Sequence, residues 1–237
     1  MLELLGVMPL RDKMSRNEME ISRVIRSKKE AKASYDKLSK WYDLLAGRFE
    51  RRYRDIGLQK LSAKKGEIVL EIGFGTGDCL LSLAQAVGNS GQVYGIDISE
   101  GMCRITGSRL EKTGLVEQVT LICDDAAKLP FKANSFDAIF MSFTLELFDT
   151  PEIPTVLGEC QRVLRSSGRL CVVGMSKKGA SVLMRLYECA HRKFPRYLDC
   201  RPIFIQESLE GVGFQIIEAT KISMWSLPIE IVLAKKA

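Results

Sequence analysis

The stretch Val69-Leu-Glu-Ile-Gly-Phe-Gly-Thr-Gly-Asp78 has the residue types and spacing most suited to chemistry: an apolar run, three alternating glycines and a polar exit. Glycines at Gly73, Gly75 and Gly77 permit a tight strand-to-helix turn and let the backbone approach a ligand closely. Amides at the start of the following helix can donate to an anionic group. The spacing is G-x-G-x-G, not the G-x-G-x-x-G of dinucleotide binders. Glu71, two positions before the first glycine, suits a ligand bearing an ammonium and is badly placed for a pyrophosphate.

Two further clusters follow at regular intervals. Asp97 comes twenty residues after Gly77, at the end of QVYGIDI. A carboxylate at a strand tip can accept hydrogen bonds from both vicinal hydroxyls of a ribose. After VTLIC comes Asp124-Asp-Ala-Ala-Lys-Leu-Pro-Phe131. There Asp125 can accept from an adenine amino group and the Ala126 amide can donate to a ring nitrogen. Together the clusters describe a nucleoside with an amino-acid tail and no phosphate. The bland alternatives are glycines that only shape a turn and an Asp97 that only caps the next helix.

The elements that must carry these clusters can be read from hydrophobic texture. EIVLEIG, QVYGIDI, VTLICDD, FDAIFMSF and RLCVVGM read as five strands of a parallel sheet, buried on both faces. Helical spacing near 81–88, 100–113 and 152–165 supplies the crossovers of a doubly wound sheet. FQIIEATKIS and IEIVLAKK, joined by MWSLP, read as an antiparallel hairpin at the end. The expected fold is therefore α/β: a doubly wound, Rossmann-like, seven-stranded sheet, mostly parallel, with an antiparallel C-terminal hairpin strand and N-terminal helices. Residues 31–237 are expected to form a single domain, with 31–61 as a helical cap and 1–30 as a basic arm.

Charge and composition narrow the classes further. Between Arg11 and Lys65 there are 17 Lys/Arg against 8 Asp/Glu, so this stretch carries +9 of a formal net charge of +6, leaving −3 for the rest. A basic arm of this kind suits peripheral contact with an anionic membrane surface, or simply a solvated helical face. No zinc-finger, RNA-recognition or helix-turn-helix signature accompanies it, so nucleic acid is not expected as a partner. Seven scattered cysteines without a C-x-x-C pair and a single histidine, His191, argue against a disulfide framework or a metal centre. No secretory signal is recognised at the start, and no apolar run approaches a membrane span, so a cytoplasmic location is expected.

The conjunction of VLEIGFGTGD, VYGIDIS, DDAAKLPF, FDAIF and VLRSSGRL resembles class I S-adenosylmethionine (SAM)-dependent methyltransferases over Tyr35 to Lys236. The resemblance implies SAM as cofactor. It places Glu71, Gly73 and Thr76, within the loop of Gly75 and Gly77, at the methionine portion. Asp97, followed by Ile98, is placed at the ribose, and Asp125 and Ala126 at adenine. Ser142 matches a position near the methionine portion. Tyr35-Asp-Lys-Leu-Ser-Lys-Trp-Tyr-Asp43 and the VVGMS run are similar to the ubiquinone/menaquinone-biosynthesis C-methyltransferases, which methylate a ring carbon of a prenylated quinol precursor. FTLELFDTPE and the region from Leu183 to Trp225 depart from that pattern.

The implied activity is methyl transfer to a small-molecule or lipid-linked acceptor, with quinone-type C-methylation leading. N-methylation of a phospholipid headgroup and O- or S-methylation of a small metabolite are alternatives, and a non-catalytic SAM-binding scaffold is a reading of another class. A nicotinamide-dependent oxidoreductase is disfavoured by Glu71, the glycine spacing and the hairpin. Metalloid methylation is disfavoured because no cysteine cluster stands out, unless folding creates one. Candidate catalytic groups are His191, Tyr42 and Glu146. The bland readings are a surface position for His191, core packing for Tyr42, and helix capping or solvent exposure for Glu146. Tyr35 can close over the cofactor, and Arg192, Lys193, Arg196 and Arg201 can bind an acidic substrate or headgroup.

Overall fold

A computed structural model describes residues 23–24, 48–178, 187 and 200–237. The candidates Tyr35, Tyr42, His191, Arg192, Lys193 and Arg196 lie outside these residues, as does the basic arm apart from Arg23 and Val24.

The elements run α1 (Arg48–Leu61), β1 (Ile68–Ile72), α2 (Asp78–Val87), β2 (Gln92–Asp97), α3 (Glu100–Thr113), β3 (Val119–Cys123) and β4 (Phe136–Ser142). They continue with α4 (Ile153–Val163), β5 (Leu164–Met175), α5 (Ile205–Gly211), β6 (Phe214–Met224) and β7 (Leu227–Lys236). The seven strands form one sheet in the order β3-β2-β1-β4-β5-β7-β6. β1 to β5 pair in parallel, whereas β7 pairs antiparallel with both β5 and β6. This is the doubly wound architecture with a reversed C-terminal hairpin that the sequence predicts.

The near-continuous apolar runs follow from burial on both sheet faces. Along β4, Ala138 and Phe140 pack with α1, α2 and α3, whereas Ile139 and Met141 pack with α4 and α5. Along β1, Val69 belongs to the first layer and Leu70 and Ile72 to the second. Side chains alternate along a strand, so Glu71 must enter the layer of α1 and α2. Gly57 lets α1 lie close on the sheet, because a Cβ there would meet Val173 Cγ2 at 2.5 Å.

Several boundaries differ from the sequence reading. The first crossover helix starts at Asp78, before the predicted 81, because the left-handed Gly77 (φ 87°) turns the chain directly into it. β5 reaches back to Leu164, past the predicted start at Arg169, through a pairing with Phe136 across a register shift. The MWSLP connection closes as a two-residue turn, with Trp225 (φ 48°) and Ser226 (φ 67°) both left-handed. Such turns usually take Asn or Gly, so the common hairpin signal is missing here. No helix among the described residues is long and apolar enough to cross a membrane.

Candidate functional site

All three sequence clusters meet in one pocket at the carboxyl ends of β1, β2, β3 and β4, where open parallel sheets bind ligands. Glu71, Gly73, Gly75, Thr76, Asp97, Ile98, Asp125, Ala126 and Ser142 line it. Gly77 does not. It sits at the N-cap of α2, where a Cβ would meet Thr106 at 2.5 Å, so its role is to bring α2 against α3.

The glycine loop is held from below. The Gly73 amide donates to Ile96 O at 2.8 Å, and the Thr106 hydroxyl donates to Gly75 O at 3.0 Å. Asp97 Oδ2 accepts from the Gly75 amide at 2.9 Å, and its Oδ1 from the Ser99 amide at 2.9 Å. Ser99, not Asp97, caps α3, its hydroxyl accepting from the Met102 amide. Asp97 itself lines the pocket, so its carboxylate borders the ligand space while it holds the loop. Gly75 combines a left-handed φ of 53° with open space where a Cβ would stand. A side chain there would be strained and would project into that space. On the next strand tip, Asp125 Oδ1 accepts from the Ala127 amide at 2.9 Å, which turns the chain beneath the pocket.

Glu71 is 2% exposed. Its Oε2 has no hydrogen-bond partner among the described residues. Burial raises its pKa well above the usual carboxylate range; Arg54 opposes that shift, and Asp97 and Asp78 add to it. A buried carboxylate oxygen without a donor is costly, and an ammonium group would relieve it. Nearby, Asp78 is gripped by Arg54 at 3.2 Å and by Arg109 at 2.6 Å. Glu50 lies one turn before Arg54 on α1 and also lines the pocket. Burial raises its pKa to about 7, against the pull of Arg54. A carboxyl titrating there is suited to exchange a proton near neutrality.

The exit from β4 forms the opposite wall. Ser142 Oγ is buried without a hydrogen-bond partner among the described residues. Phe143 takes a left-handed φ of 51° while its amide donates to Val173 O at 2.7 Å. Thr144 donates to Ser142 O at 2.9 Å, and a Cβ at Gly73 would meet its side chain at 2.4 Å. Val24 also lines the pocket. It is held there by Asp149, which accepts from its amide at 3.0 Å and pairs with Arg23 at 2.6 Å.

Glu146 is neither solvent-exposed nor a cap. It is fully buried, outside the set of residues lining the pocket, and its Oε1 accepts from the Met175 amide at 3.1 Å. That bond ties the turn after β4 to the end of β5. Arg201 is likewise fully buried, donating to Phe148 O and to Thr150 Oγ1 at 3.1 Å. Its guanidinium braces the same turn and does not offer an exposed anion site.

Arg54, Glu50 and Asp78 are pocket residues that the sequence reading missed. The reading sought aromatic groups on the N-terminal helices. The Glu50–Arg54 spacing of four, which puts both on one helix face, was the available signal. Among the described residues no group of three or more His, Cys, Asp or Glu could hold a metal ion.

Residues 69–168 match the family model described as a methyltransferase domain. The ubiquinone/menaquinone biosynthesis C-methyltransferase of Azotobacter vinelandii is 34% identical over 156 residues, covering 66% of this chain and 60% of that protein. The demethylmenaquinone methyltransferase of Geobacillus kaustophilus is 32% identical over 157 residues, covering 65% and 66%. The chain thus matches under two thirds of the length of each of these relatives. Among solved structures, a SAM-dependent methyltransferase from Aquifex aeolicus has a TM-score of 0.62 at 22% identity, covering 86% of this chain and 98% of that one. The [4+2]-cyclase SpnF has a TM-score of 0.72 at 20% identity, covering 91% and 98%. These structural likenesses show the fold alone, and a cyclase among them illustrates that this fold does not dictate one reaction.

The buried carboxyls make stability depend on pH. Burial raises the Glu146 pKa from 4.5 to about 8, and Glu50 moves the same way to about 7. Between the ordinary carboxyl range and those values the folded chain holds protons that the unfolded chain releases, so stability falls as pH rises through that window. Urea denaturation from about pH 5 to about pH 8 should show a falling midpoint, with a shallower fall in Glu146→Gln. Equal pH dependence in parent and variant would contradict the buried, proton-holding Glu146.

Proposed function

For a chain that carries a class I SAM-dependent methyltransferase domain, we propose methyl transfer to a ring carbon of a quinol-type, lipid-linked acceptor. The observation that carries the cofactor half is the convergence of Glu71, with its unpartnered Oε2, with Asp97 and Asp125 in one pocket. The names and 32–34% identity of the quinone-biosynthesis relatives support the acceptor half.

In this reading Glu71 takes the ammonium of the methionine portion, and the Gly73–Gly77 loop presents bare backbone alongside it. Asp97 accepts from the ribose hydroxyls, and Asp125 with the Ala126 amide reads adenine. Ser142 and Thr76 flank the methionine end. SAM, when bound, supplies an electrophilic methyl on a sulfonium. The chain's own task is to align the acceptor with that methyl and to keep water out. Phe143, Leu147, Phe148 and Val24 give the pocket an apolar wall suited to a ring. Forming a carbon–carbon bond at an aromatic ring releases the ring proton, and Glu50 lines the pocket where it can accept one.

The excess of basic residues between Arg11 and Lys65 supports a peripheral contact with an anionic membrane, where a lipid-linked acceptor would be met. Salt-sensitive cosedimentation with anionic vesicles is the expected result; equal binding to neutral vesicles would contradict it.

Incubating the chain with methyl-labelled SAM and a prenylated hydroquinone should give a ring-methylated, labelled lipid product. A labelled polar product from cell extract, with none in the lipid fraction, would overturn the acceptor reading. SAM binding without label transfer to any acceptor in the extract would favour a scaffold. Asp97→Ala should weaken binding of S-adenosylhomocysteine by about 1–3 kcal/mol in calorimetry, through loss of charge-assisted hydrogen bonds. An unchanged affinity in a folded variant would remove Asp97 from the ribose site.

A further inference from the structure

Folding creates a thiol pair that the linear cysteine spacing hides. Cys103 lies in the first turn of α3 and Cys123 ends β3, twenty residues apart in sequence. In the fold the Cys123 thiol lies near that of Cys103 and contributes to raising its pKa. Their sulfurs also reach neighbouring carbonyls of a single loop: Cys103 Sγ lies 4.0 Å from Asp97 O, and Cys123 Sγ 3.9 Å from Ile98 O. Cys123 is exposed and Cys103 half-buried, whereas Cys79, Cys160 and Cys171 are buried. The pair therefore combines an accessible sulfur, a second thiol whose sulfur reaches the next carbonyl of the same loop, and proximity to the pocket which that loop lines. Asp97 and Ile98 both line that pocket, and Asp97 also stands opposite Cys123 in the β2–β3 register.

We propose that Cys103 and Cys123 form a modification site at which a two-electron oxidant of the peroxide class joins the thiols in a reversible disulfide, loosening the adjacent nucleoside end of the pocket. Cys123, the exposed thiol, reacts first: its thiolate attacks one peroxide oxygen, the O–O bond breaks, and the departing hydroxide takes a proton to become water. Cys123 is then a sulfenic acid. The Cys103 sulfur attacks the Cys123 sulfur, the S–S bond forms, and the S–OH bond breaks. The Cys103 proton leaves with that hydroxyl as a second water. The two thiols are oxidised by two electrons and one peroxide is reduced, so the balance closes. Burial, together with nearby Cys123 and Asp97, raises the Cys103 pKa, which leaves the exposed Cys123 as the thiol that meets the oxidant first.

Coupling to the pocket follows from what the sulfurs leave behind. In the reduced state their contacts steady the Asp97 and Ile98 carbonyls. A disulfide requires the sulfurs to turn toward each other to covalent distance, with a fixed torsion between them. That withdraws both S–H groups from the loop whose Asp97 side chain holds the Gly75 and Ser99 amides.

The test uses the full chain treated with hydrogen peroxide and mapped as non-reduced peptides by mass spectrometry. A Cys103–Cys123 linked peptide that disappears with dithiothreitol is expected. Over-oxidation of Cys123 without linkage, or linkage only to other cysteines, would overturn the site. Calorimetry then reads affinity for S-adenosylhomocysteine, which rests on the proposed nucleoside pocket. Oxidised parent should bind about tenfold more weakly, a coupling within the usual range between sites. Cys103→Ser should keep the reduced parent's affinity after the same treatment. Linkage with unchanged affinity would overturn the coupling. A reduced parent that binds no S-adenosylhomocysteine would instead refute the nucleoside reading, while the linked peptide would still stand.

Discussion

The pocket depends on one carboxylate placed between two strand tips. Asp97 receives the Gly75 amide on one oxygen and the Ser99 amide on the other, so the glycine loop after β1 and the start of α3 share a single clamp. A loop with left-handed glycines at 73, 75 and 77 has few side-chain contacts to fix it, and the clamp supplies what the missing side chains cannot. Asp97 also lines the pocket, so the group that organises the turn borders the ligand space as well. Parallel pairing of β1 with β2 puts these tips side by side, which makes the clamp a consequence of topology.

The sheet also explains why acidic groups are buried here. Apolar alternation along β1 sends Glu71 into the helix layer with Arg54, Asp78 and Cys79, where burial disfavours its charge. On the far side, Glu146 spends its burial on the Met175 amide and shapes the turn after β4. Two buried carboxyls thus serve different ends. Each keeps one buried oxygen without a donor among the described residues, but Glu71 opens on the pocket whereas Glu146 lies outside its lining and supports the wall from behind.

Strand positions and most of the residues expected around one pocket were legible because they follow local rules: apolar runs of strand length, glycines at a turn, and acids at the tips of the first three strands. What escaped the sequence depended on contacts between distant segments. Arg54 acquires meaning only when α1 lies across β4 and β5 and brings it to Asp78. Arg201 looks like a surface cation in a basic run, yet packing buries it entirely against the Phe148–Thr150 turn. Cys103 and Cys123 seem scattered in the chain and reach neighbouring carbonyls of one loop because β3 pairs with β2 beside the start of α3. The Trp225–Ser226 turn lacks the glycine that would have marked its left-handed backbone.

The central claim is that this pocket grips an adenosyl amino acid by its charged and hydroxyl-bearing ends. A crystal structure of the chain with S-adenosylhomocysteine tests it most directly. The account predicts the amino group against Glu71, both ribose hydroxyls on Asp97, and the adenine between Asp125 and the Ala126 amide. A ligand bound elsewhere, or one whose amino group lies away from Glu71 with that carboxyl still without a donor, would contradict it.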